Sequence, residues 1–276
     1  MLEQHKDEMS DITVIIPAYN AVKTVERTIR SVMASVIPLE VWVVDDGSTD
    51  GTGSLLDELV GRQGEWKSSS TLRVIHQANC GAYQARLAVL KQIATPYFGF
   101  VDADDRVEPE MFAKMLDFAR ANSLDVVQVG YRGPSTGERR ILADRALWCE
   151  LVRPIILEGR GSSFIWDKLY RNQYDFESFD PTNHVTNWDD LIFNLQFFVK
   201  VRRFGFMDEP LYHYEETEGS AVRKFRWRLI KDFLETVRVR RKMSAAYKIR
   251  PWGWTNLRWA VVNMRNIIAL GLRGVK

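Results

Sequence analysis

The sequence predicts an α/β fold: a mainly parallel sheet flanked by helices, followed by a basic helical extension. Three observations lead there. Short runs of β-branched and aromatic residues recur with no polar alternation, the mark of strands buried on both faces. Stretches with helical apolar spacing separate them, which indicates βαβ units and ligands at the carboxyl ends of strands. Charge is divided unevenly: residues 223–276 hold 15 Lys and Arg against Asp232 and Glu235, leaving residues 1–222 with about −11 in a chain of net charge +2.

The elements follow in order. Residues 12–16, 41–44, 72–75 and 97–101 read as strands. A helix over 22–35 opens after Asn20, and one over 52–60 follows Ser48-Thr49-Asp50, all of them capping residue types. The apolar spacing of 82–93 predicts a third helix. Pro109 in a first turn, followed by Met111, Phe112, Met115, Leu116 and Ala119, predicts a fourth. A fifth strand is expected over 126–131, a turn over 134–140, and a helix over 143–157. Beyond residue 160 the pattern is less regular, with a helix expected over 190–200 and a strand over 203–207.

At 276 residues, 46% apolar and 12% aromatic, the chain can bury a large core and is neither disordered nor fibrous. Cys80 and Cys149 stand apart without a metal-binding or disulfide pattern, which fits a reducing compartment. The first eleven residues are charged and the apolar run after them is short. The sequence therefore predicts neither a secretory signal nor a spanning helix, and a cytoplasmic protein, with peripheral attachment to the inner face of the cytoplasmic membrane through its tail.

The informative residues sit at strand ends. The first strand runs into Pro17-Ala18-Tyr19-Asn20 and the second into Asp45-Asp46-Gly47-Ser48-Thr49-Asp50-Gly51. Strand-tip aspartates can accept hydrogen bonds from a base imide or ribose, and a tyrosine can stack on a base; a turn with a helix cap has the same composition. A third run ends in Asp102-Ala103-Asp104-Asp105. Carboxylates crowded after a buried strand suit Mg²⁺ or Mn²⁺ held together with substrate phosphates, which would neutralise a departing diphosphate. A solvated acidic loop is the competing reading.

Taken together, Val14-Ile15-Ile16-Pro17-Ala18-Tyr19-Asn20, Val43-Val44-Asp45-Asp46-Gly47-Ser48-Thr49-Asp50 and Val101-Asp102-Ala103-Asp104-Asp105 resemble the family 2 glycosyltransferases of the GT-A fold, over roughly residues 11–215. The resemblance implies inverting transfer of a hexosyl or N-acetylhexosaminyl group from a nucleotide donor, most often a UDP-sugar, with Mn²⁺ or Mg²⁺. It implies base contacts from Ala18, Tyr19 and Asp46, a ribose contact from Asp102 and a metal contact from Asp104. Asn79-Cys80-Gly81-Ala82 and Arg86 are similar to the family's glycine-containing segment near the nucleotide, although Leu87 stands where asparagine is common.

An inverting transfer also needs a carboxylate base for the acceptor hydroxyl. Trp188-Asp189-Asp190-Leu191-Ile192-Phe193 resembles the family's acidic pair, which makes Asp190 the expected base and Asp189 its competitor; acids capping a helix are the plain alternative. The segment 164–170 looks like one leading to the acceptor side, though its aromatics could equally be core. Tyr212-His213-Tyr214 is similar to the stretch before a flexible loop, with His213 a candidate metal or diphosphate contact and Ser220 and Arg223 candidate diphosphate contacts.

The expected organisation is a catalytic domain over 1–222, with a nucleotide-binding half at about 11–130 and an acceptor-side half at about 131–222, then a basic, Trp-rich helical tail over 223–276. Arg226, Arg228, Lys231, Arg238, Arg240, Arg241 and Lys242 share a helical stretch with Leu229, Ile230, Phe233, Leu234 and Val237. Such a helix suits an anionic membrane surface and a lipid-linked sugar acceptor. Packing on the acidic catalytic domain or self-association competes with it. Nucleic acid is disfavoured because no recognition motif accompanies the charge. Among rival functions, a dehydrogenase is opposed by Leu56 where a third glycine would follow Gly51-Thr52-Gly53, and a P-loop motif is missing. A degenerate sugar-nucleotide-binding scaffold is disfavoured because both metal carboxylates and a candidate base are present.

Overall fold

The computed structural model describes residues 10–66, 69–131, 140–147, 164–173, 176, 188–198, 200–215, 227–246, 260–261 and 263–265. The expected turn over 134–140 up to residue 139, most of the helix over 143–157, Cys149, Ser220, Arg223 and the tryptophans at 252, 254 and 259 lie outside these residues, and Arg140 begins a strand rather than ending a turn.

The expected α/β architecture is present. Strands β1 (Ile12–Ala18), β2 (Glu40–Asp45), β3 (Thr71–His76) and β4 (Tyr97–Phe100) alternate with helices α1 (Val25–Met33), α2 (Thr52–Gly61) and α3 (Ala82–Leu90). They pair in parallel in the order β3-β2-β1-β4. Ile12, Val14, Ile15 and Ile16 are fully buried, as are Phe98 and Phe100, which is why these runs carry no polar alternation. The remainder is β5 (Arg106–Val107), α4 (Met111–Asn122), β6 (Val126–Tyr131), β7 (Arg140–Ala143), α5 (Asp144–Leu147), β8 (Lys168–Arg171), α6 (Asp189–Phe198), β9 (Arg203–His213) and α7 (Trp227–Ala246).

Past β4 the sheet becomes mixed. β8 runs antiparallel to both β4 and β6, β9 lies parallel to β6, and β5 and β7 pair antiparallel with β9. The sheet is thus mainly parallel as expected, with the antiparallel pairs confined to β5, β7 and β8. Inserting β8 in reverse brings its start beside the end of β4, Gly99 opposite Leu169. Residues before β8 thus reach the end of the sheet where Asp102–Asp105 lie.

An aromatic cluster fixes α6 against this seam. Tyr170 stacks on Phe98 at 5.2 Å, Phe193 meets Phe100 edge-on at 5.2 Å, and Phe197 meets Tyr170 at 4.9 Å. Each such pair contributes about 0.5–1.5 kcal/mol beyond its buried area. The packing delivers the α6 N-terminus, with Asp189 and Asp190, to the strand end carrying Asp102.

Helix α7 buries Leu229, Phe233 and Val239 and packs against α6, with Phe233 6.3 Å from Trp188. Most of the apolar face assigned from sequence to a membrane is thus turned onto the protein, while Leu234 is 59% exposed. Among the described residues no helix is long and apolar enough to cross a membrane.

Candidate active site

The loops after β1 and β2 are clamped to each other. Asn20 N–H donates to Ser48 Oγ at 2.9 Å, Asn20 Oδ1 accepts from Thr49 N–H at 2.8 Å, and Ala21 N–H donates to Thr52 Oγ1 at 2.9 Å. Asp50 accepts from the N–H groups of Val22 and Thr52. The caps expected for α1 and α2 are therefore used differently: Asn20 and Asp50 tie two loops together, while the capping positions belong to Thr24 and Gly51. Pro17 is half-buried and Ala18 buried, so any contact from Ala18 would come through its backbone; Tyr19 stands 53% exposed beside them.

The ends of β2 and β3 are matched residue for residue. Asp45 Oδ2 meets His76 Nδ1 at 3.0 Å and Asp45 Oδ1 accepts from Ser48 N–H at 3.0 Å. Burial acts to raise the Asp45 carboxyl, but the hydrogen bonds from Ser48 and His76 outweigh it and hold the group low. Asp46 accepts from Gln77 Nε2 at 2.8 Å, Cys80 N–H at 2.9 Å and Gly81 N–H at 2.7 Å. Asp46 thus seats the turn that opens α3. Gly81 holds φ +92° there, and Gly47 holds φ +74° with its Cα 's missing side chain facing Asn79 N, 2.8 Å from where a Cβ would stand.

Helix α3 then carries Arg86 into the centre. Its guanidinium is buried, with Nη2 donating to Asp102 Oδ1 at 3.0 Å, Nη1 donating to Asp189 Oδ2 at 2.8 Å, and Asp190 Oδ1 3.4 Å from Nη1. Burial opposes the charge on Arg86, yet the fields of Asp190, Asp189 and Asp102 raise its pKa. The carboxyls shift upward in turn. Asp190 is pushed well above the ordinary range by burial and then by Asp189, against the pull of Arg86. Asp102 is raised by burial, opposed by Arg86 and reinforced by Asp104.

Tyr212, unassigned from sequence, locks the acidic loop: its hydroxyl donates to Asp105 Oδ2 at 2.7 Å and accepts from Asp102 N–H at 3.2 Å. Asp105, whose part was open, also accepts from Glu215 N–H at 2.9 Å, and burial pushes its carboxyl up to about 7 against these two hydrogen bonds. Behind α6 a fully buried pair, Lys168 Nζ and Asp167 Oδ1 at 2.7 Å, is joined to Gln128 and to the Phe164 carbonyl. A lone lysine in an aromatic run carries no signal for this in sequence.

The structure therefore brings Asp102, Arg86, Asp189 and Asp190 together, with Asp104 half-buried and Ala103 buried in the same loop. It does not gather His213 with them. His213 Nε2 pairs with Glu108 Oε1 at 2.5 Å, and among the described residues no three His, Cys, Asp or Glu side chains group so as to hold a metal ion. The donor set that remains, Asp102 and Asp104, still fits a hard divalent cation completed by phosphate and water oxygens, since these ions commonly take one or two protein carboxylates. Arg86 is one guanidinium facing the three carboxyls of Asp102, Asp189 and Asp190, so a further cation beside Asp102 and Asp104 suits the charge of this loop.

The family model of Glycosyl transferase family 2 matches residues 13–184, and the chain belongs to that family. It is 31% identical over 222 residues to the Bacillus subtilis protein named uncharacterized glycosyltransferase EpsJ, a match covering 76% of this chain and 62% of that protein. The chain thus spans less than two thirds of that relative's length. Its fold is similar to S. aureus TarS 1-349 solved with UDP-GlcNAc, at TM-score 0.67 and 21% identity over 85% of this chain and 66% of that one. It is also similar to the mannosyltransferase PcManGT of Pyrobaculum calidifontis solved with GDP-Man and Mn²⁺, at TM-score 0.59 and 16% identity over 95% and 75%. These likenesses establish the GT-A type of α/β fold.

Proposed function

We propose that the chain is an inverting glycosyltransferase that moves a hexose or N-acetylhexosamine from a UDP-sugar to a hydroxyl of a sugar or lipid-linked sugar, in the synthesis of a surface polysaccharide or glycolipid. One observation carries this reading: a single buried guanidinium joins the donor-side Asp102 to the acid pair on α6. Family membership supports it, as do the nucleotide sugars bound to TarS and PcManGT on the same fold.

In this reading Tyr19 and the clamped loops around Pro17, Asn20, Asp45 and Asp46 receive the nucleotide, and Asp102 receives the ribose. A Mn²⁺ or Mg²⁺ held by Asp102 and Asp104 would supply charge neutralisation for the diphosphate. Asp190 takes the proton of the acceptor hydroxyl as that oxygen bonds the anomeric carbon. The bond from that carbon to the diphosphate oxygen breaks with its electrons, and the configuration inverts. Asp189 is the tighter partner of Arg86, at 2.8 Å against 3.4 Å for Asp190, which leaves Asp190 the freer of the two to turn toward an acceptor. Its raised carboxyl is a stronger base than an exposed aspartate. The packing of α7 favours treating residues 223–276 as an appendage to a catalytic unit over 1–222. Its exposed cations, such as Arg238, rather than its apolar face, would then meet an anionic membrane surface, while Arg240 is buried.

Asp104→Ala tests the metal assignment. UDP titrated with and without Mn²⁺ should bind more tightly with the ion in the parent chain and show no enhancement in the variant; equal enhancement in both would contradict the assignment.

A further inference from the structure

We propose that an aromatic ladder built from Phe164, Trp166 and Tyr214 is a stacking subsite for a pyranose ring of the acceptor, an inference that rests on the transferase reading above. Phe164 stacks on Trp166 with centroids 4.8 Å apart and planes 23° from parallel. Trp166 stacks on Tyr212 at 4.4 Å and 26° and on Tyr214 at 5.8 Å and 21°, while Tyr131 supports it edge-on at 5.1 Å. The inner members are buried, Trp166 at 3% and Tyr212 at 0% exposure, but the outer rings are not: Phe164 is 42% and Tyr214 44% exposed. A set of rings serving only as core has no need to leave its outer members open.

Position identifies the occupant. Tyr131 ends β6, Tyr212 and Tyr214 lie at the end of β9, and Phe164 and Trp166 precede β8, whose start lies beside the end of β4. The ladder therefore opens at the end of the sheet that carries Asp102–Asp105, and it is continuous with that loop through the Tyr212 hydroxyl. The expected nucleotide loops, after β1 and β2, are on the opposite side of β4. What remains for this side is the acceptor. One face of a pyranose presents axial C–H groups that are apolar and slightly positive, a match for the negative face of an aromatic ring, while its hydroxyls stay at the edge for water and polar groups.

Saturation-transfer NMR on the full chain tests this with methyl β-glycosides of glucose, N-acetylglucosamine and galactose, and with decanoate as an acyl-chain probe. At least one glycoside should take up saturation on the protons of a single ring face, H1, H3 and H5 for glucose. Phe164→Ala and Tyr214→Ala should each weaken that signal at least about five-fold, the order of loss one aromatic contact carries. Saturation that persists in both variants, spreads evenly around the ring, or appears for decanoate and for none of the sugars overturns the proposal. UDP titrated into the same samples reads the donor side independently. UDP binding without a glycoside signal removes the ladder alone, and a ring-face signal without UDP binding supports the ladder and removes the transferase reading.

Discussion

Replacing Arg86 with methionine should destabilise the protein strongly, and in a way that depends on pH. The side chain is 6% exposed and its guanidinium contacts Asp102 and Asp189 with Asp190 close by, so the variant leaves three carboxyls crowded without their cation. Removing one partner of a buried ion pair costs about 3–5 kcal/mol. For a chain of this size each kcal/mol lowers Tm by about 2–4 °C, so the expected loss is on the order of 10 °C near pH 8. The carboxyls already lie above their ordinary range and rise further without Arg86. An acid with a raised folded pKa favours the folded state at low pH and loses that contribution as pH rises through the folded value, so the deficit should shrink toward about pH 5.5. Arg86→Lys should fall between the two proteins, because one point charge cannot span carboxylates that a planar fork reaches together. Calorimetry across this pH range reads all three proteins. A methionine variant within about 2 °C of the parent at pH 8, or a deficit independent of pH, would show that Arg86 does not balance these carboxyls.

Two further outcomes follow from the scaffold. At Gly205 an added Cβ would stand 2.7 Å from Phe118 Cε1 and closer still to Leu124 Cδ1, so Gly205→Ala should cost about 1–3 kcal/mol by denaturant unfolding. Gly64→Ala, where a Cβ meets nothing within 4 Å, should be nearly silent. His76 lies between Asp45 and Asp57 at 3.0 and 3.1 Å, and hydrogen bonds to these two raise its pKa. Its contribution is therefore complete below its ordinary value of about 6.5 and lost above the raised one. His76→Gln should destabilise by about 1 kcal/mol or less near pH 6 and not at pH 9, the small size reflecting its exposure. A pH-independent effect would contradict the pairing.

Much of the N-terminal half was legible because β1 and β4 are buried on both faces, β2 largely so, and α1 to α4 show clear apolar spacing; β3 carries the same apolar run but lies at the sheet edge with Thr71, Arg73 and His76 exposed. The order and spacing of the segments after β1, β2 and β4, the last two of them acidic, carried the family. The reversal at β8 left no mark, since four residues of the run Lys168–Arg171 read alike in either direction. Nor did the partners of Asp45 and Asp46, because sheet register, rather than sequence distance, sets His76 opposite Asp45 and so brings Gln77 within reach of Asp46. Arg86 was singled out as a nucleotide contact, but its place between Asp102 and the α6 acids depends on the aromatic seam of Phe98, Tyr170, Phe193 and Phe197. The basic helix was legible as amphipathic, and what covers its apolar side was not: that side needed α6 as a partner.

On the proposed mechanism Asp190 activates an acceptor beside a donor held by other residues, and donor turnover separates the two tasks. With Mn²⁺ and a panel of UDP-sugars, the parent chain should release UDP from at least one donor. Asp190→Asn should bind that donor with equal affinity and release UDP about 10²–10⁴-fold more slowly. Release at the parent rate in Asp190→Asn would contradict the account.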